Sequence, residues 1–426
     1  MQQIKNKMLM FIFINIYILA FNYSYKYVIS PAFNYSNYSY HEVDIIFLFF
    51  AWLFSVIPSM FLYIHVSKPS QVVQWVIYLI AYIPGQYIPL YTLNEDSISG
   101  YWFFQLISCL SLLILRVLNN LPLLQIPKSK ISQRTFWFLI GIITLIFYSY
   151  IFYVFGFNFN ISLNDVYSLR FSYREETSRL VAYAINWQSK IINILIISYA
   201  LIYRKKVFFC LGVLGQILLF SVTGQKSIFF SVLIIVGIYF ALRSRGKLFG
   251  LKVVGGLITV IIASSTLDKL FNSTFLSSLF VRRLMATPGL LTGYYYDFFS
   301  NHSKVFLAHS IFKPFLDYPY TFEPPFLIGN LYFNKPDMSA NVNYIADAFS
   351  NFGYYGILFF TIILAIVLWI FDSVSKHSNY YLTILILSMS AWSLTDTALF
   401  TSLLTHGILF ALCIVYLMPR HKDEEV

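Results

Sequence analysis

Apolar stretches close to the length that crosses a lipid bilayer, about 20 residues, recur from one end of the chain to the other. This repetition limits the fold more than any motif does. The stretches fall at roughly 8–21, 43–65, 73–91, 100–118, 135–155, 185–203, 207–222, 228–242, 251–266, 353–371, 380–398 and 402–418. Of 426 residues, 58% are hydrophobic and only 11% are charged, and mean hydropathy is +0.69. A soluble domain carries about 25% charged residues, so an ordinary cytosolic enzyme, a nucleic-acid binder and a disordered tail are excluded. The expected fold class is all-α, a polytopic integral membrane protein of about 12 transmembrane helices, because in lipid each backbone polar group must be satisfied within its own segment.

The net charge of +11 takes its meaning from where the charges fall. With the N-terminus inside, the short inner connections hold most of the bases: Lys5, Lys7, Lys68, Arg116, Lys128, Lys130, Arg134, Arg204, Lys205, Lys206, Arg243, Arg245, Lys247, Lys252, Lys376, Arg420 and Lys422. Most of the acids fall on the other side. This is the positive-inside pattern, so both termini are expected in the cytoplasm and the basic excess calls for no nucleic acid. Residues 1–21 read as an uncleaved first span, since no small-residue cleavage site follows Lys5, Lys7 and the apolar run. Cys109, Cys210 and Cys413 all lie in expected spans, which leaves no disulfide framework and no cysteine metal site.

The layout divides into five helices at 1–155, a smaller outer loop at 156–184, four helices at 185–266, a large outer loop at 267–352, and three helices with a tail at 353–426. Two such long polar connections point to chemistry at the outer surface. In the smaller loop Arg170, Arg174 and Glu175 are followed by Arg179, Tyr183, Asn186, Lys190 and Asn193 at three- or four-residue intervals. That spacing gives a polar stripe descending into the sixth span. A charged stripe at that depth is costly against lipid, so it is expected to line a wet cavity. Ser221-Val-Thr-Gly-Gln-Lys-Ser227 makes a tight turn that sets Lys226 at a helix start, a place suited to an anion.

The large loop opens with an amphipathic stretch, 271–285, expected to lie on the membrane. It ends in Arg282 and Arg283, then Pro288-Gly289, Gly293 and Tyr294-Tyr295-Tyr296-Asp297. Arginine offers a planar fork for phosphate oxygens, and tyrosine a flat face for sugar rings; the pattern fits a phosphorylated sugar lipid. His302, His309, Asn343 and Asp347 follow. No spacing suggests a metal site, and no Asp-x-Asp occurs.

The many-span layout with two dominant outer loops, Arg282 followed after ten residues by Gly293, the Thr223-Gly-Gln-Lys-Ser227 turn, and the Asn343 to Gly356 stretch together resemble the Wzy-type polymerases of bacterial O-antigen and capsular polysaccharide. The resemblance covers about 160–360 in its motifs and the earlier spans in layout alone. One departure is that no arginine of the smaller loop is followed by glycine at the same interval. The resemblance implies a GT-C-like glycosyltransferase architecture in the bacterial cytoplasmic (inner) membrane. Its substrates would be undecaprenyl-pyrophosphate-linked oligosaccharides as donor and acceptor, with membrane lipid around it and a polysaccharide chain-length regulator as a further partner. The mechanism would be inverting, with neither cofactor nor metal. Arg170, Arg282, Glu175, Asp297 and Asp347 become the expected catalytic residues. Arg174, Arg179, Lys190, Lys226, Arg283, Tyr294, Tyr295, His302 and Asn343 become the substrate-binding ones. A ligase that moves finished glycan onto lipid A, or a flippase for the lipid-linked unit, shares much of this layout.

Overall fold

The computed structural model describes residues 2–156, 178–310 and 312–420, all helix, turn or coil, with no strand among them. The helices are α1 (Gln2–Ser24, prolonged by a π turn and a short helix to Phe33), α2 (Ile45–Phe61), α3 (residues 69–92), α4 (Glu95–Leu118) and α5 (Gln133–Phe155). They continue with α6 (Arg179–Tyr203), α7 (Lys206–Thr223), α8 (Lys226–Leu242) and α9 (Phe249–Leu270). Then come α10 (residues 275–301), α11 (Pro324–Phe333), α12 (Tyr344–Ser375), α13 (Tyr380–Thr395), α14 (Leu399–Leu403) and α15 (Ile408–Leu417). Among the described residues eight helices are long and apolar enough to cross a membrane, and α2, α8 and α13 are shorter apolar helices. This is a multi-pass membrane architecture.

Local chemistry sets the ends. Asp44, Asn94, Ser132, Asn343 and Asn379 each accept a backbone N–H of the helix they precede, the N-cap role of such side chains. Gly224, at φ +61°, ends α7 in the left-handed conformation and lets α8 turn straight back. The α3 helix is buried from Pro69 to Tyr91. It forms the axis of the bundle, lying against α2, α10, α12 and α13. Pro84-Gly85 does not interrupt it: a π turn at Ile77–Tyr82 precedes the proline, and the chain resumes as Ile83–Thr92.

The connections sort to two ends. At one, Val66 N donates to Gly246 O at 3.1 Å and Leu248 N to His65 Nδ1 at 2.9 Å. There Lys68 reaches Asn119 O at 3.4 Å, and Leu124 N reaches Ser373 Oγ at 3.1 Å. These are the basic connections. At the other end His41 N donates to Tyr91 O at 3.1 Å and Val305 N to Ser350 O at 3.0 Å. We call it the loop-rich end.

The segment expected as a large outer loop departs from that reading. Residues 275–301 form one helical stretch, of which 288–296 are buried. Most of residues 271–284 are exposed or half-buried, and the second half of the stretch is the part that packs inside. It docks on α3, because Gly289 and Gly293 present no side chain to Pro84 and Pro89, the close approach that small residues permit between apolar helices.

Candidate functional site

From Asn186 to Asn193 the polar stripe on α6 is internal and partnered. A π turn at Gln188–Ile192 widens the helix where the stripe passes. Below it, Asn193 accepts from Gln188 Nε2 at 2.8 Å and donates to Tyr148 at 3.0 Å and to Gln216 Oε1 at 3.3 Å. Gln216 in turn donates to Ser189 O at 2.7 Å and Ser231 Oγ at 2.9 Å. Four helices, α5 to α8, are thereby joined through amides and hydroxyls in an apolar bundle, where each such group must find a partner.

Above this network stands an ionisable cluster. Lys190 Nζ contacts His406 Nδ1, and the same nitrogen meets Asn186 Oδ1 at 2.9 Å. Lys190 and Asp396 attract one another electrostatically. Both line a cavity of about 40 Å³ with Ser189, Ser227, Ser231 and Trp392. A water occupies roughly 10–15 Å³ on this measure, so the cavity holds a few waters beside the two charges. Asp396 is exposed as a residue, although Ser393 to Thr395 before it and Leu399 after it are buried, and it lines the recess that Lys190 shares.

The broken C-terminal hairpin explains its position. Tyr380–Thr395 covers roughly 24 Å at about 1.5 Å per residue, short of the roughly 30 Å of a hydrocarbon core. The chain then unwinds at Asp396 to Ala398, forms five residues of helix, and breaks again before Gly407, at φ +83°. Trp187 fixes the second break: its Nε1 donates to Leu404 O at 3.0 Å, and its ring stacks on Phe410 at 4.4 Å. Irregular backbone at membrane depth persists where it is buried in protein or lines a watery space. Asp396 and His406 lie on these two breaks.

Arg170, Arg174 and Glu175 lie outside the described residues. Arg179 is exposed at the start of α6. Arg282 lies against Phe33, 4.1 Å from the ring centroid, and donates to Ser278 Oγ at 2.7 and 3.1 Å. Arg283 is exposed. The two are on α10, which touches α8 through Phe280 and Phe230 at 6.2 Å, next to the cavity wall formed by Ser227 and Ser231. Lys226 opens α8, half-buried, beside Ser227.

Other expected site residues serve the frame. Asp297 accepts from Ser97 and from the Tyr332 hydroxyl, tying α10 to α4 and α11. Asp347 accepts from Leu399 N and Asn351 Nδ2, both at 3.2 Å, and so anchors the start of α14 to α12. Asn343 caps α12 and donates to Thr292 at 2.7 Å. His302 stacks on Phe298 at 4.1 Å and caps the end of α10 through Phe298 O.

The tyrosines require a correction. Tyr294 and Tyr295 are buried, at 6% and 2% exposure. Tyr294 stacks on Tyr332 at 4.3 Å. The Tyr295 hydroxyl donates to Ala340 O at 3.2 Å. Neither presents a face to a sugar, because the apolar body of each ring is used in seating α10.

Asp396 and His406 were not singled out from sequence. The signal was there: an ionisable side chain within or beside an apolar span is a functional mark in itself. Among the described residues no three His, Cys, Asp or Glu side chains converge to hold a metal ion. Compared with known proteins, the chain matches no family model, no curated sequence and no solved structure.

Proposed function

We propose that the chain is a membrane glycosyltransferase of the repeat-unit polymerase kind. It would join undecaprenyl-pyrophosphate-linked oligosaccharides into O-antigen or capsular polysaccharide at the outer face of the bacterial cytoplasmic membrane. The reading takes the loop-rich end as outer, both termini as cytoplasmic, twelve crossings in a GT-C-like arrangement, and a chain-length regulator as a partner.

One observation carries it: a polar, charged recess at the loop-rich end, lined by Lys190, Asp396 and Ser227, whose α8 wall abuts the helix bearing Arg282 and Arg283. Departure of a pyrophosphate pushes negative charge onto its oxygens, and fixed cations beside them stabilise the transition state more than the ground state. In this reading Lys190, which lines the recess, takes that task together with Lys226 at the start of α8 and Arg283 on the neighbouring helix. The donor is already activated, so the chemistry asks for no nucleotide and no metal.

Deleting the gene and profiling surface glycan together with lipid-linked intermediates tests the reading. Single repeat units with long chains missing are the expected result; normal long chains end the proposal. A flippase is the second reading, favoured by ionisable groups on a discontinuous hairpin. It predicts units stranded on the inner leaflet instead.

A further inference from the structure

We infer that Asp396 is the carboxylate that takes the proton from the acceptor hydroxyl; this rests on the polymerase reading. Hydrogen bonding and access set it apart from Asp268, Asp297 and Asp347. Asp268 accepts from Leu276 N at 3.1 Å and Ser277 N at 2.6 Å. Asp297 and Asp347 each use both oxygens, as described above. A carboxylate engaged on both oxygens in this way is a poor proton acceptor, since bonding to the charged form stabilises that form.

Asp396 differs in the number of hydrogen bonds it accepts and in its access. Among the described residues its side-chain hydrogen bond comes from the adjacent Thr397 hydroxyl, at 3.2 Å. It is exposed, and it borders the water-sized cavity that Lys190 shares. Lys190 touches His406 behind it, so a proton arriving at the carboxylate has an amine, an imidazole and confined water as neighbours. In the step, the acceptor oxygen bonds to the donor's anomeric carbon and its proton passes to Asp396. The anomeric carbon–oxygen bond breaks, and its electron pair leaves on undecaprenyl pyrophosphate. Asp396 then returns the proton to water.

The test uses membrane vesicles from the native host carrying chromosomal variants, supplied with the lipid-linked repeat units extracted from a gene-deletion strain. Asp396→Asn is expected to slow chain extension at least ~100-fold, the scale of general-base catalysis, at unchanged protein level. Formate should restore extension to Asp396→Gly and leave Lys190→Met as slow as before, a rescue that a merely structural role would not give. Extension by Asp396→Asn within threefold of the unaltered protein overturns the assignment, as does a folded Asp396→Gly that formate does not revive. Should Asp396→Asn not accumulate, the pair Asp396→Glu and Asp396→Gln decides: the acid must extend chains faster, and equal rates overturn the role. A deletion strain with normal long chains defeats the polymerase reading and this assignment together. Loss of long chains on deletion, with Asp396→Asn sustaining them, defeats the assignment alone.

Discussion

Lys190 and His406, 216 positions apart, meet side chain to side chain inside the bundle. Their contact joins the π turn of α6 to the second break of the C-terminal hairpin. An ammonium donates only, and Asn186 Oδ1 on the other side accepts only, so His406 Nδ1 can satisfy one neighbour at a time. A single proton position thus decides which of two side chains on α6 the imidazole holds.

Replacing Lys190 by Met removes one member of a charged pair and leaves Asp396 and His406 without the ammonium that faces them. Stranding one partner of such a pair destabilises. The melting temperature of the detergent-solubilised protein is therefore expected to fall modestly. Chain extension should fall by roughly 100-fold, as for other fixed transition-state donors. Wild-type chain lengths in Lys190→Met would remove this lysine from the chemistry.

Asp347 is expected to behave as a structural clamp. Asp347→Asn keeps an oxygen for Leu399 N and should leave extension close to normal. Asp347→Ala strands a buried N–H and an amide, costing about 1–3 kcal/mol, which membrane abundance and melting would register. Loss of extension in a stable Asp347→Asn would return this residue to the catalytic set.

The seating of α10 on α3 predicts an order among glycine substitutions. A Cβ on Gly289 would stand 2.6 Å from the backbone oxygen of Pro84, whereas one on Gly293 would stand 3.0 Å from the Pro89 side chain. Overpacking of this kind costs about 1–3 kcal/mol. Gly289→Ala should lower the melting temperature more than Gly293→Ala; the reverse order would contradict this docking.

Lys304 gives a pH signature. Its ammonium contacts Phe299 O and lies 4.2 Å from the centroid of the Phe349 ring. Burial pulls its pKa down from the ordinary 10.5 to about 8. The folded chain therefore binds fewer protons here than the unfolded chain between those values, and this site's penalty is full below pH 8 and fades as pH rises toward 10.5. Lys304→Met should melt higher than the unaltered protein at pH 7, with the gap closing at alkaline pH. A gap independent of pH would show that the amine titrates normally.

The sequence made most of the helices legible because an apolar run has one outcome in lipid. The stretch read at 135–155 became Gln133–Phe155, and the one at 207–222 became Lys206–Thr223. Residues 275–301 were harder. Their leucines, tyrosines and phenylalanines are interspersed with arginines, glycines and polar residues, a mixture that reads as an interfacial loop until Gly289 and Gly293 are set against prolines 200 residues away. The stripe from Asn186 to Asn193 was visible through its spacing, yet its partner His406 was not. Nothing local pairs the sixth apolar run with the last. Asp396 was hidden for a related reason: a carboxylate near the end of the apolar stretch 380–398 passes as part of a span unless the helix is seen to stop at Thr395.

The shortness of α13 has a consequence for selectivity against hydrolysis. On the polymerase reading, the recess that Asp396 shares with Lys190 has room for only a few water-sized molecules, so the competing nucleophile, water, is scarce on that side of the carboxylate. A sugar hydroxyl would then win over water by location, without tight binding, and a growing glycan could be released and recaptured between rounds of elongation.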